Sequence, residues 1–239
     1  MKNKISVVIP ALNEEKYIET TLFHLKMQKP FEIIVADAHS KDSTVKVAKK
    51  YGCRVVEAKP GAASYARNAG ANAAKVNIIL FIDADTIVFP NLLETIERDF
   101  SKDKKIIGWT CPIYAFTNSW KEQVIYNMSN NLVEFLTNYI KKPHAPGICI
   151  ASRRNAFKKI GGFNENIKVM EDHEFAMSLG KIGKFKFCKD SCVFTSTRRM
   201  NEWGGFGLIK KYSKIYIKYF INRNKFYKDA SKIEYDVIR

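Results

Sequence analysis

An α/β fold with a mostly parallel, doubly wound central sheet is predicted by three observations. Short apolar runs alternate with segments of helical spacing through the first hundred residues. The run from Val76 to Ile82 is almost wholly apolar, as strands covered on both faces are. Three of the runs also stop on polar, mostly acidic residues, and open α/β sheets gather ligands at the carboxyl ends of their strands.

The elements follow in order. Ile5–Ile9 reads as the first strand. Glu14–Met27 has helical spacing, with Ile18, Leu22 and Leu25 on one side. Phe31–Ala36 is the second strand, and Ser40–Lys50 a helix with Ser40 or Asp42 as its cap. Cys53–Val56 is a short third strand, Ala62–Ala74 an alanine-rich helix, Val76–Ile82 the fourth strand and Asn91–Phe100 a helix after Pro90. The second half is less regular. Ile106–Phe116 reads as one strand and Trp120–Ile140 as a long aromatic amphipathic helix. Pro143 and Pro146 bracket a loop into the strand Ile148–Ala151. Glu171–Leu179 is a helix, Lys184–Cys188 and Cys192–Thr195 are strands, and from Phe206 the chain is basic and aromatic at helical spacing. There is no internal repeat.

Composition narrows the class. The chain has 239 residues, 46% of them hydrophobic and 13% aromatic, which suits a packed globular core. Its net charge of +16 predicts attraction to an anionic partner. Met1–Lys4 and the short run before Pro10 do not make a signal peptide, and no apolar stretch approaches the roughly 20 residues that span a bilayer. The five scattered cysteines lack a CxxC pair and read as reduced residues, not a disulfide frame or zinc site. A cytoplasmic location is expected, with the basic tail able to reach the inner face of a membrane.

The chemistry concentrates at the strand ends. Ile9 is followed by Pro10-Ala11-Leu12-Asn13-Glu14, Ala36 by Asp37-Ala38-His39-Ser40, and Ile82 by Asp83-Ala84-Asp85. Two carboxylates spaced i, i+2 repel unless a cation lies between them. A hard divalent ion that keeps phosphates as its other ligands is the simplest such cation. No GxGxxG or GxxxxGK[ST] loop follows the first strand, which argues against dinucleotide and P-loop sites. Nucleic-acid binding would explain the charge, but acid-rich strand ends repel a phosphate backbone, so no nucleic-acid partner is expected. His144 and His173 read as hydrogen-bonded residues, not ligands.

With these segments in order, the chain resembles family 2 glycosyltransferases of the GT-A fold, and among them the dolichyl- and polyprenyl-phosphate sugar synthases. The matching residues are Val8–Glu14, Asp37–Thr44, Ala66-Arg67-Asn68-Ala69-Gly70, Phe81–Asp85, Arg153–Phe157 with Ile160–Phe163, and Glu171–Phe175. The resemblance implies transfer of a sugar, with inversion, from a UDP- or GDP-sugar with Mn²⁺ or Mg²⁺. Asp85 would hold the metal, and Asp83 would reach it through water or contact the ribose. Pro10, Ala11, Asn13, Glu14, Asp37, Arg67 and Ala84 would complete the nucleotide-sugar site. Asp172 is the matched base and Glu171 its acceptor-positioning neighbour; with a phosphate acceptor, Asp172 would bind or orient instead.

Arg198 and Arg199 are suited to gripping phosphate, and Trp203 to lining an acceptor groove or joining the core. Trp203 stands four residues after Arg199, a departure from the Arg-Trp element of processive relatives that tells against polymer synthesis. The acceptor is left as a glycan hydroxyl or a polyprenyl or dolichyl phosphate, with an anionic membrane surface as a further partner. The expected organisation is a catalytic domain over residues 1–205, comprising a nucleotide-binding half (1–100) and an acceptor-binding half (101–205), followed by a basic helical tail (206–239). The alternative function is a non-catalytic nucleotide- or membrane-surface-binding protein that retains the fold.

Overall fold

The centre of the molecule is the strand whose every side chain is buried, Ile78–Ile82. A computed structural model describes residues 4–198. The expected tail, with Arg199 and Trp203, lies outside the described residues.

In chain order the elements begin with β1 (Ile5–Ala11), α1 (Ile18–Met27), β2 (Glu32–Asp37), α2 (Thr44–Lys50), β3 (Arg54–Glu57) and α3 (Ala63–Ala73). Next come β4 (Ile78–Ile82), β5 (Thr86–Val88), α4 (Leu92–Lys102), β6 (Ile106–Thr110) and β7 (Ile113–Ala115). Helix α5 (Trp120–Glu134) runs into a π-helical turn, Phe135–Tyr139. The remainder is β8 (Cys149–Arg153), α6 (Arg154–Ile160), α7 (Glu171–Ile182), β9 (Lys184–Phe187) and β10 (Val193–Thr195).

Seven strands form the main sheet in the order β3-β2-β1-β4-β8-β6-β9, and β5-β10-β7 form a small second sheet. Strands β1 to β4 pair in parallel, as their crossover helices require. Strand β8 runs antiparallel between β4 and β6. Alternation along β1 divides the core. Val7 and Ile9 face Leu22 and Leu25 of α1 and Ile96 and Phe100 of α4. Val8 faces the other layer, with Phe81, Phe157, Phe163 and Phe175. Phe163 and Phe175 stack at 4.0 Å in that layer, and Phe81 meets Phe163 edge-on at 5.0 Å.

Helix α3 is alanine-rich because it lies hard against the sheet. A Cβ at Gly70 would stand 2.3 Å from Val8 Cγ1, so only glycine lets the helix approach β1 this closely. That approach sinks the neighbouring Arg67 into the molecule, where it is 4% exposed.

The expected single strand Ile106–Phe116 is corrected to two strands in different sheets. Pro112, which has no N–H to give a ladder, stands between them, and its carbonyl accepts from Val193 N. The short strand β5 and the helix α6 were not expected. A three-residue strand is too short to show a period, and α6 is a two-turn helix directly continuing β8.

Candidate active site at the strand ends

The first loop is laced to the second. Asn13 takes a left-handed backbone (φ 56°), which asparagine tolerates better than most residues. Its N–H donates to Ser40 Oγ at 2.9 Å, and its Oδ1 accepts from Lys41 N at 2.8 Å. Glu14 N donates to Thr44 Oγ1 at 2.7 Å. These bonds hold the Pro10–Glu14 segment beside the end of β2. Ala11 is there in register with Asp37. Asp37 is buried; its Oδ2 accepts from Ser40 N at 3.0 Å, while Oδ1 has no hydrogen-bond partner among the described residues. A buried acceptor left open at a strand end can take a ligand hydroxyl or N–H. Ala84, also buried, has its carbonyl engaged by Thr21 Oγ1 at 2.7 Å.

Arg67 is not on a helix surface but at the centre of the site. It donates to Asp83 Oδ1 at 3.0 Å and to Glu171 Oε1 at 2.9 Å. One buried guanidinium thus joins the acid after β4 to the acid that opens α7. Burial alone would lower its pKa, but Asp83, Glu171 and Asp172 outweigh it, so Arg67 holds its proton more tightly than usual. Glu171 shows the reverse balance. Burial and then the charge of Asp172 push its carboxyl up to about 7, against the pull of Arg67.

Asp172 is fixed by the loop before β8. Its Oδ2 accepts from Gly147 N at 2.6 Å, and its Oδ1 from His173 N at 2.8 Å. Gly147 was not foreseen, although the Pro146-Gly147 pair marks a tight turn. A Cβ there would lie 2.4 Å from Arg67 Nη2, so the bare backbone is what admits the arginine. His144 and His173 are buried with their rings 5.2 Å apart, and burial lowers the pKa of His173.

Across the site, Arg198 spans Glu14 and Asp85. It reaches both Glu14 oxygens, at 3.0 and 3.2 Å, and Asp85 Oδ2 at 2.8 Å. Its guanidinium lies 4.3 Å from the centre of the Tyr17 ring. Ser196 Oγ donates to the same Asp85 oxygen. Burial raises the pKa of Glu14, and the bonds to Arg198 oppose that rise. Sequence spacing alone did not reveal Tyr17 or Ser196, which have no motif of their own.

Among the described residues, no group of three or more His, Cys, Asp or Glu is placed to hold a metal ion. The chemistry of the donors nevertheless suits one. Asp85 and Glu14 offer oxygens alone, and a cationic group, the Arg198 guanidinium, already lies across them. A hard divalent ion held by one or two carboxylates would draw its remaining ligands from water and phosphate.

The sequence profile described as Glycosyl transferase family 2 matches residues 6–161. This chain belongs to that family. Among relatives of the family 2 chain is the 4,4'-diaponeurosporenoate glycosyltransferase of Staphylococcus aureus, 36% identical over 172 residues, which cover 66% of this chain and 46% of the relative. The chondroitin synthase of Pasteurella multocida is 27% identical over 199 residues, covering 79% of this chain and 20% of the relative. The family 2 chain therefore spans less than half the length of either. Solved structures confirm the GT-A-type fold. S. aureus TarS (residues 1–349) superposes with a TM-score of 0.67 at 22% identity, covering 82% of this chain and 61% of TarS. The mannosyltransferase PcManGT from Pyrobaculum calidifontis, solved with GDP-Man and Mn²⁺, gives 0.63 at 17% identity, covering 81% and 57%.

Proposed function

We propose that this protein transfers a sugar, with inversion, from a nucleoside-diphosphate sugar to a glycan hydroxyl or a polyprenyl or dolichyl phosphate. The observation that carries the reading is Arg67. It ties Asp83, on the donor side, to Glu171, the neighbour of Asp172, so that two acid groups far apart in sequence meet at one buried guanidinium. Membership of a glycosyltransferase family supports the same reaction class.

Each residue has a physical task in this reading. The open oxygen of Asp37 and the laced Asn13 loop receive the base and ribose. Asp85, with Glu14 beside it, would hold Mn²⁺ or Mg²⁺, while Asp83 orients through water or the ribose. When bound, the ion would offset the charge that develops on the departing diphosphate. Asp172, its carboxylate aimed by the Gly147 N–H, takes the proton from an acceptor hydroxyl on the face opposite the leaving group. Glu171, held by Arg67, shapes the acceptor side. Arg198, with Arg199 and Trp203 beyond the described residues, would meet phosphate or acceptor.

The test is thermal stabilisation by UDP, GDP and their sugars, with and without Mn²⁺ or Mg²⁺, since a ligand that binds only the folded state raises the melting temperature. Asp85→Ala should abolish the metal-dependent shift. Asp172→Asn should keep the shift and lose turnover to a hydroxyl acceptor. If no nucleotide gives a metal-dependent shift, the donor-site reading fails; if Asp172→Asn turns over normally, the acceptor is not a hydroxyl activated by this residue.

A further inference from the structure

Helix α5 is apolar on the wrong side. Its inward contacts are made by Tyr126, Val133 and Thr137, with Asn130 bonded to both the N–H and the carbonyl of Ile113. Trp120, Val124, Met128, Leu132, Phe135 and Tyr139 all point outward, with Trp120 and Met128 each 68% exposed and Tyr139 69%. Within α5, at about 100° per residue, Trp120, Val124, Met128 and Leu132 are centred about 180° from Tyr126, Asn130 and Val133 and span about 18 Å; Phe135 and Tyr139 continue the exposed row on the π-helical turn. Phe116, 70% exposed, extends the stripe at its start. So many large apolar side chains in one row mark a docking surface.

The charges around the stripe favour one occupant. Between residues 116 and 142 the exposed residues include Lys121, Lys141 and Lys142 but no carboxylate. The two acids of this stretch are turned aside: Glu122 is half-buried, and Glu134 is paired with Lys189 at 2.6 Å. A basic partner, such as the lysine-rich segment after Gly207, would find no exposed carboxylate within this stretch. An anionic partner would. A row of Trp, Met, Leu, Phe and Tyr edged by lysines is the composition of a helix lying in the headgroup layer of a membrane, and the chain's net charge of +16 draws it toward anionic lipid.

We propose that the outward face of α5 rests on an anionic membrane surface and that the acceptor is accordingly lipid-borne. The second clause rests on the glycosyl-transfer reading above. The helix leads directly to the site: from Tyr139 the chain runs through Pro143 and Pro146 to Gly147, whose N–H holds Asp172. Docking α5 would bring the Asp172 side of the site to the lipid surface with no membrane-crossing helix, and none of the described helices is long and apolar enough to cross.

The experiment is flotation of the full chain with vesicles of phosphatidylcholine alone, or of three parts phosphatidylcholine to one part phosphatidylglycerol. The unaltered protein should float only with the anionic vesicles. The double variant Met128→Glu/Leu132→Glu should bind about tenfold or more weakly, while Met27→Glu, an equally exposed apolar position on α1, should bind as before. Brominated lipid should quench the fluorescence that Trp120→Phe removes, which tests the same contact without charge insertion should the double variant fail to fold. Unchanged flotation of a folded double variant, absent quenching of Trp120, or a dimer that this variant dissociates in the absence of lipid would each overturn the proposal. The UDP- and Mn²⁺-dependent thermal shift of the double variant reports separately on the donor site: its persistence leaves the transfer reading intact whatever the vesicles show.

Discussion

Arg198→Gln is the sharpest perturbation of the site. In the structure the guanidinium makes two bonds to Glu14, at 3.0 and 3.2 Å, and two to Asp85, at 3.2 and 2.8 Å, at 17% side-chain exposure. A divalent ion that uses Asp85 and Glu14 has to displace it. Hydrogen bonds to charged groups are worth about 1.5–3 kcal/mol, and the four bonds here share one cation and a partly wet site, so the displacement is set at about 1.5–3 kcal/mol in all. Removing the guanidinium should therefore tighten Mn²⁺ binding by about 10- to 150-fold. The same change leaves two crowded carboxylates without their cation. In EDTA the variant should melt about 3–12 °C lower than the native chain, and Mn²⁺ should recover the loss. Isothermal titration with Mn²⁺ in the absence of nucleotide measures the first effect, and melting with and without the ion measures the second. An Mn²⁺ affinity in Arg198→Gln that is unchanged or weaker would refute the view that Arg198 lies where the ion binds.

Two further outcomes follow from the Arg67 side. Gly147→Ala places a methyl 2.4 Å from Arg67 Nη2, and the arginine cannot retreat while Asp83 and Glu171 hold it; a loss of about 1–3 kcal/mol in stability is expected, read by urea unfolding, and a neutral effect would show that Arg67 is loosely held. Glu171, whose carboxyl is pushed from 4.5 up to about 7, binds its proton more tightly folded than unfolded, so its contribution to stability is complete below about pH 4.5 and is lost as pH rises through about 7. The loss is on the order of 3 kcal/mol. Glu171→Gln, which cannot ionise, should flatten the melting temperature over that window, and parallel profiles for the two proteins would contradict the assignment.

Much of the first half of the fold was legible residue by residue. Val7, Val8 and Ile9 announce a buried strand because a strand covered on both faces is almost continuously apolar, and Asp37 and Asp83 follow where those apolar runs end. The acids of α7 were legible as a pair. The 106–116 segment was misread because its two halves have the same local composition, and only the partners across each ladder distinguish one sheet from the other. In α5 the apolar count was visible, but not which side of it meets the core; Asn130, bonded to the backbone of β7, turns the helix so that its larger residues face out.

What the sequence determined by itself is thus the alternation of elements and the chemical types delivered to the strand ends, since both depend on periods of two to four residues. What only the tertiary structure decided is how those groups neutralise one another. Arg67 meets Glu171 across 104 positions and Arg198 meets Glu14 across 184. Such pairings depend on how closely α3 can approach β1 at Gly70, and on where β10 delivers the chain. Packing sets those distances, and no local pattern carries them.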